Sequence, residues 1–302
     1  MESNWIEAGA NASTFEALLP ETILLFGVVM LMIIPNLGRA TFRIPLTQVR
    51  VPCLIGGRRF KLTSDPRLPS LISILTLLTA LIAALISQSS GAERYFLTGG
   101  DGDDLRVLLK VDGFSRLFEM MFFGALLIAA VASINRLPAN PSAKSTEIQD
   151  LLNNRRQVDF HILLLMTALG MAIVALAMDL FMLFIGLELA SLATYVLVAF
   201  HKESKAGSEG GVKYFIVGAI SSAIGLYGMS LLYIWHGNLQ IASNKIDLGD
   251  GQSFVIDGLD SAWASMGATE VLPILALGLM LVGFAFKVSA VPFHFAAPDA
   301  YS

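Results

Sequence analysis

Long apolar runs separated by short charged stretches set the pattern of this chain. A bilayer-spanning helix needs roughly 20 apolar residues. Runs of about that length cover residues 18–34, 68–86 and 114–134. The first is closed by Pro35-Asn36, and the third is opened by Val111-Asp112-Gly113. The next run, 160–200, is far too long for one crossing, and Asp179 offers a natural break. The pattern therefore predicts two helices there, joined by a tight turn. A sixth helix is expected over 214–235. A seventh starts near Val271 and continues past Lys287 until Pro292 interrupts it. The expected fold is all-α: a polytopic transmembrane helical bundle of about seven spans with a broken seventh helix.

Composition supports that picture. The 302 residues are 55% hydrophobic and only 15% charged, where a soluble domain of this size carries about 25% charged residues. A net charge of −4 argues against a nucleic-acid binder. The single cysteine, Cys53, cannot build an iron–sulfur or structural zinc site, which takes about four protein ligands. The run 99–104, rich in glycine and aspartate, lacks the spacing and closing glutamate of a calcium loop. No metal or cofactor site is expected in this chain. Residues 1–21 carry Glu2, Glu7, Glu16 and Glu21 without a positive n-region, so they do not read as a signal peptide. Asn11 opens a glycosylation sequon, a match frequent by chance.

Loop charge gives the topology. After the first helix come Arg39, Arg43, Arg50, Arg58, Arg59, Lys61 and Arg67 against Asp65. After the third come Arg136, Lys144, Arg155 and Arg156, and after the fifth Lys202, Lys205 and Lys213. The other connections are acidic. Glu93, Asp101, Asp103 and Asp104 lie between helices two and three, partly offset by Arg94, Arg106 and Lys110. Asp247, Asp250, Asp257, Asp260 and Glu270 lie between helices six and seven, with Lys245 the one base. By the positive-inside rule the N-terminus faces outside and the odd-numbered loops face the cytoplasm. The linker 137–154, with Pro138 and Pro141, reads as a cytoplasmic connection.

A charge at the bilayer centre costs roughly 2.5–3.5 kcal/mol, so each one needs a reason. Glu188 falls about 12 Å along its helix, close to mid-membrane. There it must be protonated, paired with a cation, or facing water. Lys287 falls roughly 24 Å along the seventh helix. Ser289, Pro292 and His294 follow it, and broken helices occur where a polar cavity passes. Burial disfavours the charged amine, which suits a proton carrier. Lys213 begins the sixth helix at the membrane edge, where it either snorkels or pairs with Glu209 four residues earlier. His294 titrates near neutral pH and is a candidate to pass protons near the break. Glu21 is expected to favour a helix N-terminus, Glu119 to face protein, and His161 to sit at the interface. No nucleophile–base triad or phosphate-cradling glycine loop is present in the sequence.

Several segments resemble a known family. Glu188-Leu189-Ala190-Ser191-Leu192 with Tyr195-Val196-Leu197-Val198-Ala199-Phe200 is similar to the fifth helix of the antiporter-like subunits of respiratory complex I (NADH:quinone oxidoreductase). Lys213-Tyr214-Phe215-Ile216-Val217-Gly218-Ala219, then Ser221-Ser222 and Leu226-Tyr227-Gly228, resembles their sixth. Phe286-Lys287-Val288-Ser289-Ala290-Val291-Pro292-Phe293-His294 with Pro298-Asp299 resembles the broken seventh, and Val111-Asp112-Gly113-Phe114 the entry to the third. The wording around Lys287 favours subunit N over its sisters L and M and over multisubunit cation/proton antiporters. Ala296-Ala297 stand where the family usually has an aromatic residue and a threonine.

The resemblance implies proton translocation driven by electron transfer from NADH to quinone elsewhere in the complex. It implies that Glu188 and Lys287 form a charged pair with Lys213 nearby. NADH, FMN, iron–sulfur clusters and quinone would belong to the rest of the complex. The implied partners are other complex I membrane subunits, the lipid bilayer and protons, in a bacterial cell inner membrane. The resemblance divides the chain into residues 1–158, an outer-facing N-terminus and peripheral helices 1–3, and residues 159–302, helices 4–7 of an incomplete antiporter-like repeat. The family continues with a further lysine-bearing helix and a second, inverted repeat. Two alternatives stay open: a subunit of a cation/proton antiporter, or a truncated, non-transporting scaffold.

Overall fold

The computed structural model describes residues 5–7, 12–33, 41–43, 50–52, 67–90, 94–98, 106–134, 147–200, 205–247, 253–266 and 270–301. Cys53, Asn11, the run 99–104 and half of the basic loop residues lie outside them. The helices are α1 (Ala12–Ala17), α2 (Leu19–Ile33), α3 (Leu68–Ser90), α4 (Gly113–Ser133), α5 (Glu147–Leu176), α6 (Leu180–Val198), α7 (Lys205–His236), α8 (Leu259–Ser265), α9 (Val271–Lys287) and α10 (Ala296–Tyr301). Five of them, α3 to α7, are long and apolar enough to cross a membrane; α2 and α9 are shorter apolar helices. The chain is a multi-pass membrane helical bundle. Its apolar helices match the expected seven in number and order, although α5 begins at Glu147 and takes up the end of the linker read as a loop.

Local chemistry explains the helix ends. Asp112 caps α4 through Ser115 N–H at 2.8 Å, and Ser115 Oγ returns the bond to the Asp112 N–H at 2.9 Å. This is a capping box, which satisfies two of the otherwise orphaned donors. Asp179 caps α6 by accepting from Phe181 N–H at 2.8 Å, as its place between two apolar runs predicts. At the far end of α9, Ser289 adopts φ 53°. Ala290 N–H then reaches Ala285 O at 2.8 Å, and Ser289 N–H reaches Phe286 O at 3.0 Å. That is a Schellman closure with serine in the position glycine usually takes. The helix therefore stops at Lys287 rather than at Pro292.

Among the described residues seven short strands accompany the helices: β1 (Trp5–Glu7), β2 (Thr41–Arg43), β3 (Arg50–Pro52), β4 (Arg94–Thr98), β5 (Arg106–Val111), β6 (Asn244–Asp247) and β7 (Ser253–Ile256). They form a three-stranded sheet in the order β1-β4-β5 and two antiparallel pairs, β2-β3 and β6-β7. Three connections are joined at one end of the bundle. Met178 N–H binds Leu108 O, Leu180 N–H binds Leu239 O, and Ile241 N–H binds Met178 O. Gln240, fully buried, donates through Nε2 to the carbonyls of Val107 and Met178 and accepts from Val107 N–H at 3.1 Å. The α3–α4, α5–α6 and α7–α9 connections thus share one end, as the loop-charge alternation requires.

Among the described residues, two of the hydrophobic cores hold most of the helices. Leu24, Leu31, Leu77, Phe123, Leu165 and Ala172 join α2, α3, α4 and α5. Leu180, Met229, Leu232, Leu259, Ala276 and Met280 join α6, α7, α8 and α9. Small residues let backbones approach where the helices cross. A Cβ on Gly170 would stand 2.5 Å from Ala190 N, and one on Gly228 2.4 Å from Met280 N. Large apolar side chains such as Ile128, Ile234 and Leu71 point outward, as a lipid-facing surface requires. His161, expected at the interface, is instead fully buried and shares a hydrogen bond of 2.9 Å with Ser70 of α3. The helix extends well before it, which carries His161 inside the bundle.

Candidate functional site

The structure brings Glu188 of α6 and Lys287 of α9 together. Lys287 Nζ donates to Glu188 Oε1 at 3.0 Å, and the side chains are 16% and 22% exposed respectively. An ammonium has three protons to donate. The other two acceptors are Ser191 Oγ and Tyr195 OH, the latter at 3.2 Å. Glu188, Ser191 and Tyr195 are spaced i, i+3 and i+7, so one face of α6 supplies every acceptor. Ser191 Oγ can receive because its own proton goes back to Leu187 O. Lys287 also stands 5.5 Å from the Tyr195 ring centroid, within cation–π range.

Position along α9 adds to this. Lys287 is the last helical residue, where unsatisfied carbonyls favour a positive charge. From α7, Ser222 Oγ donates to Glu188 Oε1 at 2.6 Å. A cavity of about 10 Å³ adjoins the pair, bordered by Phe184, Glu188, Ser222, Gly225 and Lys287, enough for about one water. Tyr195 has room only because Gly218 lacks a side chain: a Cβ there would lie 2.3 Å from the phenol oxygen. The Tyr195 ring packs edge-on against Tyr214, 4.9 Å between centroids. Among the described residues no group of three or more His, Cys, Asp or Glu is placed to hold a metal ion.

The other two expected residues stand apart from the pair. Lys213 is half-exposed near the start of α7 and binds Glu209 at 2.8 Å, one turn earlier. It precedes Ser222 by nine residues, about 14 Å along the helix. His294 is exposed on the 3-10 turn Phe293–Phe295, after the break. Sequence reasoning singled out neither Ser222 nor Tyr195 as a partner of the pair. The Tyr195 spacing from Glu188 carried that signal, whereas Ser222 needs the α6–α7 packing.

Residues 177–302 match the family model described as "NADH:quinone oxidoreductase/Mrp antiporter, TM". Over those residues the chain is similar to this antiporter family. The match covers α6, α7 and α9, and so contains the whole Glu188–Lys287 site. Among curated members, the chain is similar to NADH-quinone oxidoreductase subunit N of Desulfitobacterium hafniense, 34% identical over 72% of this chain and 38% of that protein. It is similar to F(420)H(2) dehydrogenase subunit N of Methanosarcina mazei, 35% identical over 64% of this chain and 33% of that one. The chain thus spans under half the length of these relatives. In structure it is similar to a chain of respiratory complex I from Thermus thermophilus, with a TM-score of 0.57 at 23% identity, over 93% of this chain and 47% of that chain. At that identity the likeness establishes the antiporter-type fold.

Proposed function

We propose that this chain acts as a membrane subunit of a proton-translocating NADH:quinone oxidoreductase and moves protons through the Glu188–Lys287 pair. One observation carries the reading: a carboxylate and an amine held 3.0 Å apart where α9 ends among apolar helices. Away from that carboxylate, an amine in apolar surroundings holds its charge poorly. A charge change in a neighbouring subunit that draws Glu188 off Lys287 would release the lysine's proton into the adjoining cavity. Returning Glu188 would restore the ammonium. Tyr195 and Tyr214 line the stretch toward Lys213, which would receive or supply protons at the membrane edge. His294 would serve the opposite side of the break.

Electron transfer from NADH through FMN and iron–sulfur clusters to quinone would take place in other subunits. Other membrane subunits of the complex would be the partners. The loop charges support a bacterial inner membrane orientation with the N-terminus outside. Residues 1–158 would form the peripheral part and residues 159–302 the antiporter-like repeat; the family match over 177–302 supports that division. The subunit N names of the relatives favour this reading over a stand-alone cation/proton antiporter.

Glu188→Gln tests it. The amide keeps the size and can still accept from Lys287 and Ser222, but it removes the charge. The complex should assemble while proton translocation per electron pair falls sharply. Normal stoichiometry overturns the proposal. Sodium-dependent pH changes in vesicles holding this protein alone would favour the antiporter.

A further inference from the structure

The first core encloses a charged group separate from the Glu188–Lys287 pair. Arg116, in the first turn of α4, is 1% exposed. Its Nη1 reaches Glu21 Oε1 of α2 at 3.3 Å and also Glu119 Oε2, one turn along α4. The guanidinium further donates to the Ala17 carbonyl and, through Nε, to Ser87 Oγ of α3 at 3.2 Å. One fixed positive charge therefore faces two carboxyl groups whose side chains are 10% and 0% exposed. With both ionised, the group would bury an uncompensated negative charge, which protein interiors avoid.

Hydrogen bonding leads to the same place. The carboxyls of Glu21 and Glu119 converge on one atom, Nη1 of Arg116. Yet Glu21 Oε2 and Glu119 Oε1 are buried with no partner. Ionised carboxylates only accept. One proton between the two supplies the missing donor and brings the group to neutrality, the arrangement that like charges at close range enforce. From α3 the guanidinium meets a neutral group, Ser87 Oγ. At the same end of the bundle, Lys110 binds Asp112 at 2.9 Å and Arg94 binds Glu16 at 3.7 Å.

We propose that Glu21 and Glu119 form a second proton-binding site, holding one proton between them against Arg116 in the α2–α3–α4 bundle. Glu21, in the first turn of α2 and the most exposed of the three, exchanges that proton with water at this end. The site is independent of the translocation reading and stands or falls separately.

The full chain in lipid vesicles at neutral pH provides the test. Infrared difference spectra between wild type and Glu119→Gln should show the carbonyl stretch of a protonated carboxyl in the wild type alone. Glu21→Gln should remove the same band, because one proton serves both groups. Glu188→Gln should leave it. Each single variant should melt within a few degrees of wild type. The double variant E21Q/E119Q, which strips Arg116 of both counter-charges, should melt far lower or fail to fold. A band that survives both single variants, or a wild type with both carboxyls ionised, overturns the proposal. So does loss of the band on adding sodium, which would mark a cation site instead. Should a glutamine variant not accumulate, isotope-labelled glutamate in Glu188→Gln decides: the shifted carboxyl band must be present there, and its absence refutes the site.

Discussion

Ser222 Oγ donates to Glu188 Oε1 across 2.6 Å, and so shares that oxygen with the ammonium of Lys287. Helix α7 thereby fixes the acid without adding a charge of its own. The carboxylate has two holds of different kind, one neutral and one ionic, on a single atom. A mechanism that parts Glu188 from Lys287 has to work against, or swing about, the serine bond.

Ser222→Ala should therefore change rate more than assembly. A hydrogen bond to a charged group contributes about 1.5–3 kcal/mol, and about 1.4 kcal/mol is a tenfold change in an equilibrium. The variant complex is expected to assemble normally and to translocate protons more slowly by about tenfold or more, measured by proton uptake in vesicles. An unchanged rate would show that the serine merely fills space.

Much of this was legible in the sequence because the bilayer makes it so. Apolar length and alternating loop charge are large effects, and they gave the seven helices and the shared end of the acidic connections. Glu188 and Lys287 stood out because a charge inside an apolar run is costly. What stayed hidden depended on distant packing. Arg116 sits only three residues from the start of α4 and reads as an edge residue, yet α2 and α3 close over it. His161 looked interfacial because the eight residues before it include Asn153, Asn154, Arg155, Arg156 and Asp159, although α5 is already helical there. Gln240 carried no pattern at all; its role comes from three loops meeting at one point. Short strands such as β5 escaped notice because they cap the helices rather than build a sheet of their own.

The crossing of α7 and α9 sets where Lys287 lies, which makes Gly228 a second handle on the site. A Cβ there would stand 2.4 Å from Met280 N and 2.6 Å from Ala276 O, both backbone atoms that cannot turn aside. Gly228→Val should drive the helices apart, at a cost of about 1–3 kcal/mol or more. Lys287 follows Met280 by seven residues, about 10 Å along α9, so proton translocation should fall together with the melting temperature. Gly124 of α4 is the control, since nothing lies within 4 Å of its position. Gly124→Ala should be neutral or stabilising by up to about 1 kcal/mol, from helix propensity. Thermal melting in detergent compares the two; equal losses would show that the α7–α9 contact is not special.

The Asp112 cap gives a prediction with a pH sign. Burial alone would raise its carboxyl, but the Ser115 N–H bond, the Lys110 ammonium and the Ser115 hydroxyl outweigh it and hold the group below its ordinary value of 3.8. A carboxylate depressed in the folded state stabilises the fold at pH above its unfolded value. That contribution is lost as pH falls through the lower, folded value. Asp112→Ala should therefore cost about 0.5–2 kcal/mol at neutral pH, the usual range for a lost N-cap. The gap from wild type should stay constant down to about pH 4, where the wild-type carboxyl is still ionised. It should then narrow as the wild-type carboxyl takes up its proton. Asp112→Asn, which keeps an acceptor but loses the charge facing Lys110, should fall between the two at neutral pH. Melting curves of the three proteins over an acid series check this, and a gap that widens on acidification would show that the cap acts through something other than the ionised carboxylate.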